Sequence, residues 1–209
     1  MTHRLTLARH GQSVANRDGI VQGHFDSPLS DLGRRQAEAL AAAWSAAGAR
    51  FDHLLSSPLL RARQTAEVFA QILGLDLETD ETWMERDLGR AQGMPLAEFL
   101  SASQRRPAST PFEPAFENGE SAWELHARAA RAVQGIVRRP AAQYLIVSHG
   151  GLLNAVLRVA LGIPPTDQRA PRFHFSNGGY ARIGMAADGS WTLTDLVNPP
   201  EDASEEDEA

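Results

Sequence analysis

Two histidines, far apart in the chain, each follow a short apolar run that is typical of a buried strand. The first is His10, preceded by Arg9, and the second is His149; a glycine follows each of them. A neutral imidazole can attack phosphorus and form a covalent intermediate, which divides one difficult displacement into two easier steps. The guanidinium groups of Arg9 and Arg61 can pair with the oxygens of a transferring phosphoryl group and stabilise their charge. The histidine spacing matches no zinc signature, so these residues favour phosphate chemistry over metal binding.

A carboxylate and an amide complete the set of groups that phosphomonoester hydrolysis needs. Glu85 can donate a proton to the leaving oxygen and afterwards activate water. Asn16 follows the first histidine closely, and we expect its amide in the same crevice.

Apolar patterning predicts strands that alternate with helices along most of the chain. The predicted strands lie at 5–8, 51–56, 75–77, 144–148, 173–175, 180–185 and 191–197. The predicted helices follow Ser30, span 61–73 and about 121–138, and follow His149 as far as Gly162. This alternation predicts an α/β fold, a three-layer α/β/α sandwich with a mainly parallel sheet. Ligands bind at the carboxyl ends of the strands in such sheets, so His10, Ser57 and His149 should meet at one crevice.

The domain organisation follows from two irregular stretches. Residues 88–118 contain four prolines and scattered apolar side chains, which indicates a small cap inserted into a single domain of residues 1–200. Arg105 and Arg106 in this cap would favour a second anionic group on the substrate. Residues 201–209 contain six acidic side chains and no basic ones, and we predict a disordered acidic tail.

The composition excludes several classes of chemistry. The chain has no cysteine, and therefore no thiolate nucleophile and no thiolate metal site. All 20 basic residues are arginine, which excludes a Walker-type phosphate loop and Schiff-base chemistry, since both need lysine. Without the tail, the net charge of −6 becomes a balance of 20 basic and 20 acidic residues. A neutral body argues against nucleic acid as a partner.

The cellular setting is predicted from two absences in the sequence. No apolar run approaches the roughly 18–20 residues that span a bilayer. The first residues lack the apolar stretch of a signal peptide. We therefore predict a cytoplasmic protein that does not bind membranes. The phosphate chemistry of the two histidines and two arginines predicts a small phosphorylated metabolite as its partner.

These residues lie in longer motifs that resemble the histidine phosphatase superfamily, in its phosphoglycerate mutase-like branch (branch 1). The motifs occur in the family's order and cover residues 5 to about 155. They are Leu7-Ala8-Arg9-His10-Gly11-Gln12-Ser13 with Asn16, then Gly23, Asp26, Pro28-Leu29-Ser30, Gly33 and Gln36-Ala37, then Ser56-Ser57-Pro58-Leu59-Leu60-Arg61-Ala62-Arg63-Gln64-Thr65-Ala66, then Glu85 with Gly89 and Gly93, then Gly119-Glu120-Ser121, and finally Val147-Ser148-His149-Gly150-Gly151.

The resemblance implies a role for each matching residue. His10 is the implied nucleophile and Glu85 the implied proton donor. The implied phosphate pocket consists of Arg9, Arg61 and His149. Further implied substrate contacts come from Asn16, Gln22, Gly23 and Gly150. No metal and no cofactor is implied, and Glu81, four residues before Glu85, is the alternative acid.

Three functions stay open within this resemblance. The first is a phosphatase, which we favour because phosphoglycerate mutases are longer in the cap and tail and carry basic residues there, whereas this tail is acidic. The second is a mutase, and the third is a non-catalytic protein that binds a phosphorylated ligand. The presence of both His10 and Arg61 argues against the third. The substrate and the oligomeric state, with a homodimer among the options, are left open by the sequence.

Two unrelated hydrolases are excluded by missing motifs. His149-Gly150-Gly151 is similar to the oxyanion loop of lipases, but the chain has no Gly-x-Ser-x-Gly nucleophile motif. It also has no His-Glu-x-x-His zinc motif.

Overall fold

A six-stranded mixed sheet forms the middle layer. The structure, a computed structural model, describes residues 2–105, 110–114, 116–166 and 171–199. The strands are β1 (Arg4–Arg9), β2 (His53–Ser56), β3 (Leu77–Thr79), β4 (Gln143–Ser148), β5 (Tyr180–Met185) and β6 (Trp191–Val197). Their order is β3-β2-β4-β1-β5-β6, with β3, β2, β4 and β1 parallel and β5 antiparallel to its neighbours β1 and β6. The predicted α/β fold with a mainly parallel sheet is confirmed.

Helices cover both faces of this sheet. The α-helices in the described part of the chain are α1 (Val14–Arg17), α2 (Asp31–Ala46), α3 (Leu60–Leu73), α4 (Leu96–Arg105), α5 (Ala122–Val137) and α6 (Gly150–Ala160). Of these, α2 and α3 pack on one face of the sheet, and α5 and α6 pack on the other. Successive side chains of a strand point to opposite faces, so Val147 packs with α2 and α3 whereas Ile146 packs with α5 and α6. The two buried clusters sandwich the sheet and fix the ends of its strands. None of the described helices is long and apolar enough to cross a membrane.

Residues 173–175 do not form the strand that their aromatic side chains predicted. The N–H of Phe173 donates to the side-chain oxygen of Asn154 at 2.9 Å. The carbonyl of Phe175 accepts from the Arg9 guanidinium at 2.6 Å. Side chains satisfy these backbone groups in place of a neighbouring strand, and the segment lies outside the sheet.

The third strand begins two residues later than predicted, because the residues after the preceding helix take part in its C-cap. Gly74 ends α3 in the left-handed conformation, with φ of 69°. The N–H of Leu75 then donates to the Ala70 carbonyl at 3.1 Å. Because the Leu75 N–H is used in this bond, Leu75 belongs to the helix end and not to the strand.

The predicted cap contains a regular helix, α4, that the sequence patterning did not reveal. Pro95 directly precedes α4, and its carbonyl accepts a hydrogen bond from Phe99. The proline therefore precedes the helix rather than interrupting it, and its missing N–H costs no helical hydrogen bond there. The acidic tail at 201–209 and Arg106 lie outside the described residues, as does the side chain of Arg105.

The loop that carries His10 is clamped against the start of α2 by two glycines. A Cβ built on Gly11 would lie 2.2 Å from the Gly33 carbonyl oxygen, and a Cβ on Gly33 would lie 1.9 Å from that of Gln12. No side chain fits between these backbones. The close approach fixes the loop after β1 against the first turn of α2.

We expect Gly33→Ala to destabilise the protein by about 1–3 kcal/mol or more, because overpacked sites force the backbone apart. The matched control is Gly135→Ala in α5, where a Cβ meets no atom within 4 Å. Removing that exposed helical glycine should stabilise the fold by roughly 0.5–1 kcal/mol. Urea unfolding of both variants measures the difference. Equal stability of the two variants would contradict the clamp.

Candidate active site

Three strand ends meet at one edge of the sheet. Arg9, the last residue of β1, pairs with Ser148, the last residue of β4. On the opposite edge of β4 lies β2, whose last residue, Ser56, pairs with Val147 of β4. The residues that follow, His10, Ser57 and His149, therefore lie side by side although up to 139 positions separate them.

His10 is buried, and its hydrogen bonds define its tautomer. Its Nδ1 lies 2.7 Å from the Gly11 carbonyl oxygen, which can only accept, so Nδ1 carries the proton. Nε2 is then unprotonated, and its lone pair accepts a hydrogen bond from the Nε–H of Arg61 at 3.2 Å. Burial, followed by the charges of Arg61 and Arg9, holds the pKa of His10 well below its usual value. The imidazole is therefore neutral at physiological pH, as a nucleophile requires.

The two arginines are anchored by backbone carbonyls. Arg61 is almost completely buried and donates to the carbonyls of Gly23 at 2.8 Å and Phe25 at 3.1 Å. Burial lowers the pKa of Arg61 to about 10, so its charge is retained at neutral pH. Arg9 donates to the Phe175 carbonyl, while its Nε is buried and has no partner among the described residues.

His149 lies next to His10, with 5.1 Å between the ring centroids. Its Nε2 forms a 2.8 Å hydrogen bond with the Ser57 hydroxyl, and its Nδ1 is buried without a partner among the described residues. Burial is again the main cause that holds the pKa of His149 well below its usual value. If the Ser57 hydroxyl donates to Nε2, the proton of the neutral ring is on Nδ1. Arg9 Nε and His149 Nδ1 are then two buried donors at one site, an arrangement that costs about 1–3 kcal/mol per group unless an acceptor binds.

Glu85 lies at the N-terminus of α6. One carboxylate oxygen accepts from Gly151 N–H at 3.0 Å, and the other accepts from Leu152 N–H at 3.0 Å and Arg86 N–H at 2.7 Å. A Cβ on Gly151 would lie 2.5 Å from the carboxylate, so only glycine permits this contact. Helix N-termini favour negative charge. These contacts direct the carboxyl group of Glu85 into the cavity that also contains His10.

A second layer of polar contacts holds the backbone of Glu85. Arg128 in α5 donates to the carbonyls of Thr82 at 3.1 Å and Glu85 at 3.0 Å. The same guanidinium forms a two-point pair with Glu120, at 2.9 and 2.7 Å, in which both side chains are mostly buried. His24 donates from Nε2 to the Glu85 carbonyl at 2.7 Å. Glu85, the proton-donor candidate, is therefore held by α5, by the loop that contains His24 and by the N-terminus of α6.

Of the remaining predicted residues, Asn16 lies in α1, and Gln22 and Gly23 lie on the loop that follows α1. Asn16 accepts hydrogen bonds from Ser13 N–H and from Asn177, each at 3.2 Å. Gln22 is buried and accepts from the Ser13 hydroxyl at 2.9 Å. Gly23 has φ of 56° and presents its carbonyl to Arg61.

These residues surround a cavity of about 400 Å³. Its lining includes, of the predicted residues, Arg9, His10, Asn16, Gln22, Gly23, Arg61 and Glu85. His149 lies behind His10, outside this lining, and Gly151 rather than the predicted Gly150 lines the cavity. Glu81 is exposed and is also outside the lining. Among the described residues, no cluster of three or more His, Cys, Asp or Glu side chains could hold a metal ion.

Asn177 and Arg128, which sequence reasoning missed, support the site together with Ser57, which the sequence placed in the crevice without a role. Asn177 donates to the His10 carbonyl and to Asn16, both at 3.2 Å, from a loop 167 residues away. Ser57 orients His149, and Arg128 holds Glu85. For Asn177 alone, the sequence contained a signal: the Asn177-Gly178-Gly179 turn directly precedes β5, and β5 pairs with β1.

The chain belongs to the histidine phosphatase superfamily (branch 1), whose family model matches residues 5–199. The probable phosphoglycerate mutase GpmB of Yersinia enterocolitica is 33% identical over 181 residues, which is 85% of this chain and 82% of that protein. The structure of a mycobacterial glucosyl-3-phosphoglycerate phosphatase in complex with VO₃ matches with a TM-score of 0.78 and 27% identity, over 94% of this chain and 98% of that one. The structure titled mycobacterial hydrolase 1 matches with a TM-score of 0.78 and 26% identity, over 93% and 98% of the two chains. The proteins similar to this chain thus include both a named phosphatase and a named mutase.

Proposed function

We propose that this protein is a metal-independent phosphatase that hydrolyses phosphomonoesters of small metabolites through a phosphohistidine on His10. The observation that carries the proposal is the set of nitrogen atoms around His10 Nε2. His10 lines the cavity together with Arg9 and Arg61, and the Arg61 Nε–H donates to Nε2 at 3.2 Å. Arg9 Nε and His149 Nδ1 are buried without a partner among the described residues. Charged and polar donors of this kind stabilise the oxygens of a transferring phosphoryl group.

In the first step, His10 Nε2 attacks phosphorus and the bond from phosphorus to the ester oxygen breaks. Positive charge develops on the imidazole, and the hydrogen bond from Nδ1–H to the Gly11 carbonyl stabilises it. Glu85 in its protonated form donates its proton to the departing oxygen, which leaves as an alcohol. One oxygen of Glu85 accepts only the Gly151 N–H, so it has a free lone pair for that proton.

In the second step, the Glu85 carboxylate takes a proton from water as the water oxygen attacks the phosphohistidine. The bond between Nε2 and phosphorus breaks, inorganic phosphate leaves, and His10 is again neutral. The protonated Glu85 is ready for the next ester. Both steps use the same acid-base group, as microscopic reversibility requires.

A phosphoglycerate mutase is the second candidate, favoured by the 33% identity to GpmB. The two activities differ in the acceptor of the phosphoryl group, which is water in one and a bound sugar acid in the other. We expect p-nitrophenyl phosphate in ¹⁸O-water to yield phosphate with one ¹⁸O atom, and 3-phosphoglycerate to yield no 2-phosphoglycerate, as followed by ³¹P NMR. Fast formation of 2-phosphoglycerate without phosphate release would identify a mutase. Phosphate binding without turnover of either ester would identify a non-catalytic binding protein.

Activity should survive EDTA nearly unchanged, because Arg9 and Arg61 supply the positive charge that a metal ion would otherwise provide. The measurement is p-nitrophenyl phosphate turnover after dialysis against EDTA, with Mg²⁺ or Zn²⁺ added back as the control. A large loss that either ion restores would contradict metal independence.

A further inference from the structure

The cavity in front of His10 has two chemically different parts. Its inner end contains the charged groups already described. Its outer part is walled by the apolar side chains of Ile20, Val21, Leu88, Leu96 and Phe99. A substrate whose phosphate lies on His10 must place its remaining atoms beside this wall.

The wall is held rigidly relative to the phosphate site. Backbone hydrogen bonds join the loop after α1 to the segment that enters α4: Val21 N–H to the Met94 carbonyl at 2.9 Å, Gly93 N–H to the Val21 carbonyl at 2.8 Å, and Leu96 N–H to the Gly19 carbonyl at 2.7 Å. Phe99 stacks on Phe116, with 5.1 Å between ring centroids. The same loop continues into Gln22 and Gly23, so the backbone connects the apolar wall directly to the phosphate pocket.

The cationic side chains of the cavity lie apart from the apolar wall. The cations in the lining are Arg9 and Arg61, at the inner end, and Arg86, whose Nε donates to the Glu120 carbonyl at 2.9 Å. Leu96, in contrast, is 47% exposed although it borders the cavity. The apolar side chains of the wall carry no hydrogen-bond donor, so an anionic group packed against them would lose water there without compensation, which is unfavourable. A hydrocarbon group there would gain from burial.

We propose that the substrate is a phosphomonoester whose leaving group has an aliphatic or aromatic face that packs on this wall, in preference to a small phosphate with a second anionic group. The inference rests on the phosphatase function proposed above. It names the wall as the part of the site that selects among phosphomonoesters. The expectation that Arg105 and Arg106 favour a second anionic group stays a separate prediction, because their side chains lie outside the described residues.

The chain provides a matched pair of variants for the test. Leu96 and Leu100 are one turn apart on α4 and similarly exposed, at 47% and 51%, but only Leu96 lines the cavity. Leu96→Gln removes apolar surface from the wall, whereas Leu100→Gln makes the same change outside it. Both side chains are on the surface, so neither variant should fail to fold.

The experiment measures kcat/KM for n-alkyl phosphates from ethyl to hexyl, with 3-phosphoglycerate for comparison. For the unaltered protein we expect a rise of about two- to fourfold per methylene, where fourfold corresponds to full burial of the group. The ratio of kcat/KM for hexyl phosphate to that for ethyl phosphate should fall by about fivefold or more in Leu96→Gln and stay unchanged in Leu100→Gln. A flat series, a preference for 3-phosphoglycerate over hexyl phosphate, or equal effects of the two variants would overturn the inference.

Binding of n-alkylphosphonates, measured by calorimetry, separates this inference from the proposed function. Their carbon–phosphorus bond is not hydrolysed, so the chain-length dependence of Kd tests the wall without turnover. Rising affinity with no turnover of any ester would overturn the phosphatase and support the wall. Turnover with chain-length-independent affinity would support the phosphatase and overturn the wall.

Discussion

His10→Ala should abolish turnover, lowering kcat by roughly 10⁴- to 10⁶-fold, the scale seen when a covalent nucleophile is removed. Nε2 of His10 is the one imidazole lone pair that lies against both Arg61 and the cavity in the described part of the chain. The neighbouring His149 lies behind it and outside the cavity lining. Mass spectrometry after a quench without acid should find the phosphoryl group on His10 during turnover. His174→Ala, which removes an exposed histidine, should retain full activity as the matched control.

The structure supplies a definite competitor for this role. Ser57 Oγ lies 2.8 Å from His149 Nε2, and a hydroxyl beside an imidazole is the usual arrangement of an activated serine. Ser57 is fully buried and its oxygen also accepts from Leu59 N–H at 3.2 Å, which favours an orienting role. Ser57→Ala should therefore still form phosphohistidine. Phosphate on Ser57, or full activity of His10→Ala, would contradict the assignment.

Glu85→Gln should lower hydrolysis of an alkyl phosphate by about 100-fold or more, because an alkoxide leaves poorly without a proton. Formation of phosphohistidine from p-nitrophenyl phosphate should suffer much less, since p-nitrophenolate leaves without help. Single-turnover kinetics isolate that step. Glu81→Gln is the matched control, because Glu81 is exposed outside the cavity, and its activity on both esters should not change.

The contacts of Glu85 determine how this result is interpreted. Its carboxylate accepts three backbone N–H groups, and glutamine offers only one accepting oxygen in their place. A lost acceptor for a buried N–H costs about 1–3 kcal/mol, so Glu85→Gln should also melt at a lower temperature. Instability alone would reduce activity on both esters equally, whereas a lost proton donor reduces it selectively. An equal loss on both esters would therefore assign Glu85 a positioning role.

The sequence by itself determined the fold class and the position of the site. Strand and helix patterning is local, and helix starts are marked by single residues, such as Ser30, whose side chain accepts from Gly33 N–H. In a mainly parallel sheet the carboxyl ends of the strands share one edge, so the placement of His10 and His149 needed only that rule. Patterning failed at residues 173–175 because the decisive partners, Arg9 and Asn154, are distant in sequence.

Only the tertiary structure decided where the individual atoms lie. The tautomer of His10, the unpartnered nitrogens of Arg9 and His149, and the position of Glu85 rather than Glu81 in the cavity all depend on contacts within a few ångströms. Many of these contacts join residues far apart in the chain, for example Arg61 to His10 across 51 positions and Glu85 to Gly151 across 66. The apolar wall beside the phosphate site depends likewise on backbone pairing between residues 19–21 and 93–96. Residue type and spacing describe the chemistry that a chain can perform, but hydrogen bonds and burial fix protonation and access, and both arise only when distant segments pack together.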